Sequence, residues 1–278
     1  MRYLGPVFVS VAIAAAVCAH EPTPVGIDRF DRAIIRSPER ADLWLRRAEL
    51  HRSARNWPQA RRDFHQAGRL DATFIRAAQL GLARAELEAG APARAAAAAE
   101  MSLSLDPRQP EAWRVRGLAL AALERFDEAA KMLGRAITLS PDPAPDLFLA
   151  RARALTKAGR TAAAIASLDD ATGVFGVLVV MEKEAIALER ERGAYASALA
   201  RVDRIATCAK RSERWWALRA EIHLERGAAG DARSAAAAAL AAIESLPPRH
   251  QSTAATRALA DRMKQMLATG PADAGESS

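Results

Sequence analysis

A repeat constrains this chain more than anything else in its sequence. Ala60, Ala95, Ala129, Ala164, Ala198 and Ala232 stand 35, 34, 35, 34 and 34 residues apart. Five positions before each alanine is a turn-type site, occupied by Arg55, Gly90, Glu124, Gly159, Gly193 and Gly227. Twelve positions before each is a small residue: Ala48, Ala83, Gly117, Ala152 and Ala220, with Ile186 as the one misfit. Two segments even share text, since Arg47-Ala48-Glu49-Leu50-His51 returns as Arg219-Ala220-Glu221-Ile222-His223. Three columns in one phase imply a unit that cannot bury its apolar face alone and must stack on its neighbours. The unit is helical. Half the residues are apolar but only 5% are aromatic, and a chain rich in alanine, leucine, arginine and glutamate loses little entropy in helices. Sparse β-branched residues argue against a large sheet.

The stretch Glu111 to Pro141 shows the pattern most fully. Trp113 opens a first helix, Gly117 is small, and Leu120 follows one turn on. Phe126, Ala129, Leu133 and Ala136 follow in the second helix, and Leu139-Ser140-Pro141 closes it. This arrangement resembles the tetratricopeptide repeat family. The resemblance implies an all-α fold, a right-handed α-solenoid of about six tetratricopeptide-type helix pairs with capping helices. Each pair has a first (A) helix and a second (B) helix, each about 21 Å long at 1.5 Å per residue. Small positions let the backbones approach, while Trp44, Trp113, Phe148 and Trp216, with Phe64, Leu133, Leu168 and Val202, fill the space between pairs. Ala99 and Ala236 stand where those large B-helix residues are expected, which predicts looser packing there. The closing proline is present at Pro107 and Pro141 but is replaced by Ala72 and by Thr172-Gly173-Val174-Phe175-Gly176. The second departure predicts a bend, with the fifth pair the least typical.

The ends divide the chain further. Met1-Arg2-Tyr3 is basic, Leu4 to Val17 is uncharged and mainly apolar, and Val17-Cys18-Ala19 ends in small residues. That order matches a secretory signal peptide over residues 1–19. Residues 20–40 read as a linker and capping helix, 41–246 as six repeats, 247–267 as a C-terminal capping helix and 268–278 as a disordered tail. The expected address is exported and periplasmic, with anchoring in the inner membrane by residues 4–17 as the alternative. If Cys18 leaves with the leader, Cys208 has no partner and the fold rests on packing.

The formal charge is +7 and the pI about 10.1. The arginines are spread along the chain, without the basic stripe and interleaved aromatics of a nucleic-acid binder. The family resemblance implies that outward positions of the A helices line a concave groove. Those positions present Glu49, Arg84, Arg114, Arg153 and Lys183, with Lys157 and Arg190 nearby. A row of cations there suits a protein partner with an acidic segment or a C-terminal carboxylate; the plainer reading is a set of solvated arginines. The sole asparagine, Asn56, lies in a turn, so the family's asparagine-containing carboxylate clamp does not carry over.

Catalytic and metal chemistry find little footing. Neither a phosphate loop nor a nucleophile elbow occurs, and the repeats use nearly the whole chain. Asp169-Asp170 and Glu182-Lys183-Glu184 read as helix-surface charges. His51 and His223 hold equivalent repeat positions and read as packing residues, and His65 and His250 have no metal-spaced partner. If cleavage follows Ala19, His20 becomes the first residue, and its ring and amine could chelate copper. The expectation is a non-enzymatic protein–protein interaction scaffold of the bacterial envelope without a cofactor. The alternative is a metal- or small-ligand-binding accessory protein using His20.

Overall fold

The structure, a computed structural model, describes residues 24–268. A capping helix α1 (Pro24–Arg36) is followed by six antiparallel helix pairs. These are α2 (Ala41–Ser53) with α3 (Trp57–Leu70), α4 (Ile75–Glu88) with α5 (Pro92–Leu105), and α6 (Pro110–Ala122) with α7 (Phe126–Leu139). Next come α8 (Pro145–Lys157) with α9 (Thr161–Phe175), α10 (Val179–Glu191) with α11 (Tyr195–Cys208), and α12 (Glu213–Glu225) with α13 (Ala229–Glu244). A short α14 (Pro248–Gln251) leads to α15 (Ala254–Ala268). Each helix packs mainly on the ones before and after it, so the pairs stack as a solenoid.

The turn column explains why every A helix stops where it does. Arg55 and Glu124 have φ of 58° and 60°, and Gly90, Gly159, Gly193 and Gly227 have φ of 72° to 79°. Beyond each, an N–H donates back to the A helix: Asn56 to His51, Ala91 to Glu86, Arg125 to Leu120, Arg160 to Leu155, Ala194 to Glu189 and Ala228 to His223, all at 2.8–2.9 Å. This is the Schellman closure, which satisfies orphan carbonyls with one left-handed residue. Glycine accepts that conformation freely. Arg55 and Glu124 take it against the ordinary side-chain penalty of about 1 kcal/mol or more.

The small column sits at the contact between A and B helices. Ala48, Ala83, Ala152 and Ala220 are fully buried, as are the facing Ala60, Ala95, Ala129, Ala164 and Ala198. At Gly117 a Cβ would come within 2.7 Å of Leu133 Cγ and 3.2 Å of the Leu133 backbone nitrogen. Ile186, the misfit, is buried with Ala198, Val202, Ile205 and Ile222, where Val202 is slimmer than the phenylalanine or leucine of other repeats. The looser packing expected at Ala99 and Ala236 is not found. Both alanines are fully buried, and their helix pairs approach as closely as any. A small residue on each side lets the backbones close the gap. The Phe64 ring of α3 reaches across onto bare Gly81 of α4, in the same apolar cluster as Ala99.

The expected irregularity around the fifth pair is present. Gly176 (φ 74°) ends α9, and an extended link through Leu178 leads to α10, whose seams with α9 and α11 are the sparser ones. Where four of the other A helices carry tryptophan or phenylalanine, and α4 carries Gln79, α10 carries Glu182, fully buried rather than on the surface as expected. Arg201 reaches Glu182 at 3.2 Å, Glu189 at 2.8 Å and Asp169 at 2.8 Å, and Arg204 reaches Glu182 at 3.1 Å. Burial works against the Arg201 charge, but the bonds to Asp169 and Glu189 hold its pKa above the ordinary value. At the N-terminal end Arg47 bridges the buried Asp63 (2.6 Å) and the more exposed Asp31 (2.7 Å).

Two predictions follow from this packing. Ala129→Trp forces a ring between helices already in contact, and should cost about 3 kcal/mol, the upper range for overpacking. Urea denaturation checks this, and an unchanged midpoint would refute the register. Second, burial holds His51 and His223 below the ordinary histidine pKa of 6.5, with Arg47 and Arg226 adding and Asp63 and Asp231 opposing. Their neutral forms therefore stabilise the fold fully above that value, and this contribution is lost as pH falls through it towards the folded pKa. The melting temperature should drop between about pH 7.5 and pH 5. His51→Leu with His223→Leu should flatten that slope, since Leu120 and Leu155 fill the equivalent sites.

Candidate functional site

The first four A helices touch in turn, α2 with α4, α4 with α6 and α6 with α8, whereas the B helices fan apart. The A helices therefore line the inside of the curve. Ion pairs join them across repeat boundaries. Glu49 bonds Arg84 at 2.7 Å, and Arg52, held to Glu49 of its own helix at 2.8 Å, bonds Glu88 at 2.5 Å. Further along, Arg153 pairs with Glu184 at 3.3 Å, Arg190 with Glu225, and Glu221 with Arg262 at 3.1 Å.

The structure thus places the sequence-derived groove residues on one face but changes their character. Glu49 and Arg84 are partners, not separate contacts. Arg114 forks onto Glu111 of its own helix through two bonds of 2.7 Å, which raise its pKa. Arg190 is raised the same way by Glu225. Arg153 is engaged as well. Lys183 alone among the five has no ion-pair partner among the described residues. The sequence signal for this lay in complementary charges one repeat apart, as in Glu49/Arg84 and Arg190/Glu225, both separated by 35 residues.

The groove ends in a cavity of about 720 Å³ that the sequence did not reveal. Val179 and Lys183 of α10 form one wall, and Arg214, Trp215, Ala217, Leu218 and Glu221 of α12 the floor. Ala255, Ala258, Leu259 and Arg262 of α15 close it. The helix α15 packs on α13 and touches α12, as a further A helix would. It was expected to be a cap, and it is also a wall of the groove. Sequence reasoning missed Arg214, Trp215 and Leu259 because α15 lacks the repeat signature.

Among the described residues, no cluster of three or more histidine, cysteine, aspartate or glutamate side chains could hold a metal ion. His20 and residues 4–17 lie outside the described residues. Cys208 is exposed at the end of α11. No described helix is long and apolar enough to cross a membrane.

A family model described as tetratricopeptide repeat matches residues 47–110, 80–146 and 114–177 in overlapping windows. The chain carries tetratricopeptide repeats. The same columns continue structurally through α13, so the repeat architecture extends past the matched windows. Solved structures share this fold. The C-terminal part of a tetratricopeptide-repeat-containing protein from Cytophaga hutchinsonii superposes with a TM-score of 0.63 at 13% identity, covering 81% of this chain and 92% of that one. A tetratricopeptide repeat protein from Parabacteroides merdae gives 0.52 at 15% identity, covering 87% and 90%. The pilF protein of Pseudomonas aeruginosa gives 0.51 at 16% identity, covering 82% and 98%. No curated protein matches the chain in sequence.

The concave ion pairs are solvent-facing and should add little stability. A double-mutant cycle on Arg190→Ala and Glu225→Ala, read by denaturation, should give a coupling below about 1 kcal/mol. A coupling of several kcal/mol would show that the ladder holds the solenoid together.

Proposed function

We propose that this tetratricopeptide-repeat chain is a non-enzymatic interaction scaffold of the bacterial cell envelope that grips a segment of a partner protein along its concave face. The observation that carries this reading is the inner surface of A helices, joined by packing from α2 to α8 and by ion pairs from α8 to α12, and closed at one end by α15 around a cavity with unpaired cations. Stacked helix pairs offer a long shape-complementary face and use their buried positions on packing, which leaves outward positions of the A helices for recognition. The envelope address rests on the leader-like residues 1–19, with residues 4–17 serving as an inner-membrane anchor if retained. An acidic partner fits the excess of positive charge on the chain and the cations at the end of the groove.

Site-specific photocrosslinking in the native cells tests this. A benzophenone side chain at Ala187, exposed on α10 between Lys183 and Arg190, should capture a discrete partner polypeptide. The same group at Met101, exposed on the B helix α5, should not. Capture at Met101 with none at Ala187 would place recognition on the outer surface and overturn the proposal.

A further inference from the structure

We infer that the cavity between α10, α12 and α15 is the anchoring pocket of the groove, and that its occupant is a partner peptide segment in which a bulky apolar side chain stands beside carboxylates. The inference rests on the groove reading above and deepens it.

Three observations carry it. The first is the distribution of unpaired charge. Elsewhere along the concave face Arg52, Arg84, Arg114, Arg153 and Arg190 each already hold a carboxylate of this chain. At the cavity, Glu221 is taken by Arg262, while Lys183 and Arg214 are exposed and have no ion-pair partner among the described residues. A ligand carboxylate at any of those arginines must displace an internal one; Lys157 is also unpaired among the described residues but stands outside the cavity, whereas here two free cations share one lining. The second is the lining. Between those cations lie Val179, Trp215, Leu218 and Leu259, so an acidic group alone would leave apolar surface wet. A purely apolar ligand would in turn leave both cations without a counter-charge. The two features select a ligand with both kinds of group close together. The third is size. The cavity holds about 720 Å³, inside the range of about 300–1,000 Å³ in which pockets bury a ligand. Met263 of α15 is fully buried with Ala235, Ala236 and Ala239 of α13, and Leu259, Met266 and Leu267 pack around it, so the third wall is held by the core and not recruited on binding.

A random peptide library displayed on phage, selected against the full chain, tests the inference. Recovered peptides should carry a bulky apolar residue within two positions of an aspartate or glutamate. Their affinity should fall at least about tenfold in Lys183→Glu/Arg214→Glu and in Ala258→Trp, and should weaken with added salt. Ala258 is exposed on the pocket wall, so its tryptophan fills the cavity without entering the core. The charge reversal alters only surface side chains, so it keeps the test valid if the tryptophan variant fails to fold. Peptides lost in Arg114→Glu/Arg153→Glu but kept by both pocket variants would overturn the pocket and leave the groove reading standing. Peptides that depend on the pocket but lack the apolar–acidic pairing would overturn the ligand class. No recovered peptide, or peptides indifferent to every variant, would overturn both readings.

Discussion

Two helices in backbone contact, with nothing larger than alanine between them in most repeats, set the geometry on which the other contacts in this molecule depend. Helices packed through ordinary side chains sit about 8–10 Å apart. A column of alanine or glycine facing another of alanine brings A and B helices to the near end of that range. The neighbouring large residues then point past the contact and into the next repeat. Leu133 against Gly117 and Phe64 against Gly81 show both directions, one closing a pair and the other joining two pairs. The Schellman turn follows from the same closeness, because a B helix that returns at once along its A helix requires an abrupt left-handed stop. Ile186 shows the limit of the rule: a large residue is accepted in the small column where Val202 opposite is slimmer, within the pair whose seams are sparser.

Charge takes two different parts in this framework. Three positions past the small column the six repeats carry His51, Glu86, Leu120, Leu155, Glu189 and His223. The central repeats are apolar there and the outer ones titratable. Glu86 is bonded by Arg61 and Arg94, and Glu189 by Arg201, so these buried acids are neutralised within their own seams. Such pairs add little net stability relative to apolar residues of the same shape, but losing one partner strands a buried charge. Their effect is to make one pairing of helices far better than any shifted one. Around Glu182, where the aromatic of other repeats is missing, the Arg201 network substitutes for shape with charge at the point where the link through Gly176 interrupts the regular stack.

This division also decides what the sequence made legible. The fold was readable because three columns recur in one phase, so a single misfit such as Ile186 did not hide the period. The six left-handed turns fall where the turn column put them, even at Arg55 and Glu124, where the residue type gives no hint. The site was legible only as a face. Whether an arginine on that face is free depends on an acid one repeat away, and spacing of 35 residues between opposite charges is easily lost among 40 basic and 33 acidic residues. Glu182 looked like a surface residue because its neighbours Lys183 and Glu184 are polar. Its buried state follows from its repeat position, and that position outranks local composition. Nor does α15 match the repeat, so its role as a groove wall comes from where α13 leaves it and not from its own residues.

The concave face is therefore unequal along its length. Its N-terminal part, from Glu49 to Arg114, neutralises itself and presents fixed ion pairs to solvent. A ligand there exchanges one set of screened charge pairs for another and gains little. Its C-terminal part adds apolar surface to free cations, so a ligand there removes apolar area from water and supplies a missing counter-charge in one step. On the proposed reading, the self-paired part of the groove keeps a basic chain from holding every acidic segment it meets. Specificity is then concentrated where the pairing runs out, at the boundary between the last repeat and the helix that ends the stack.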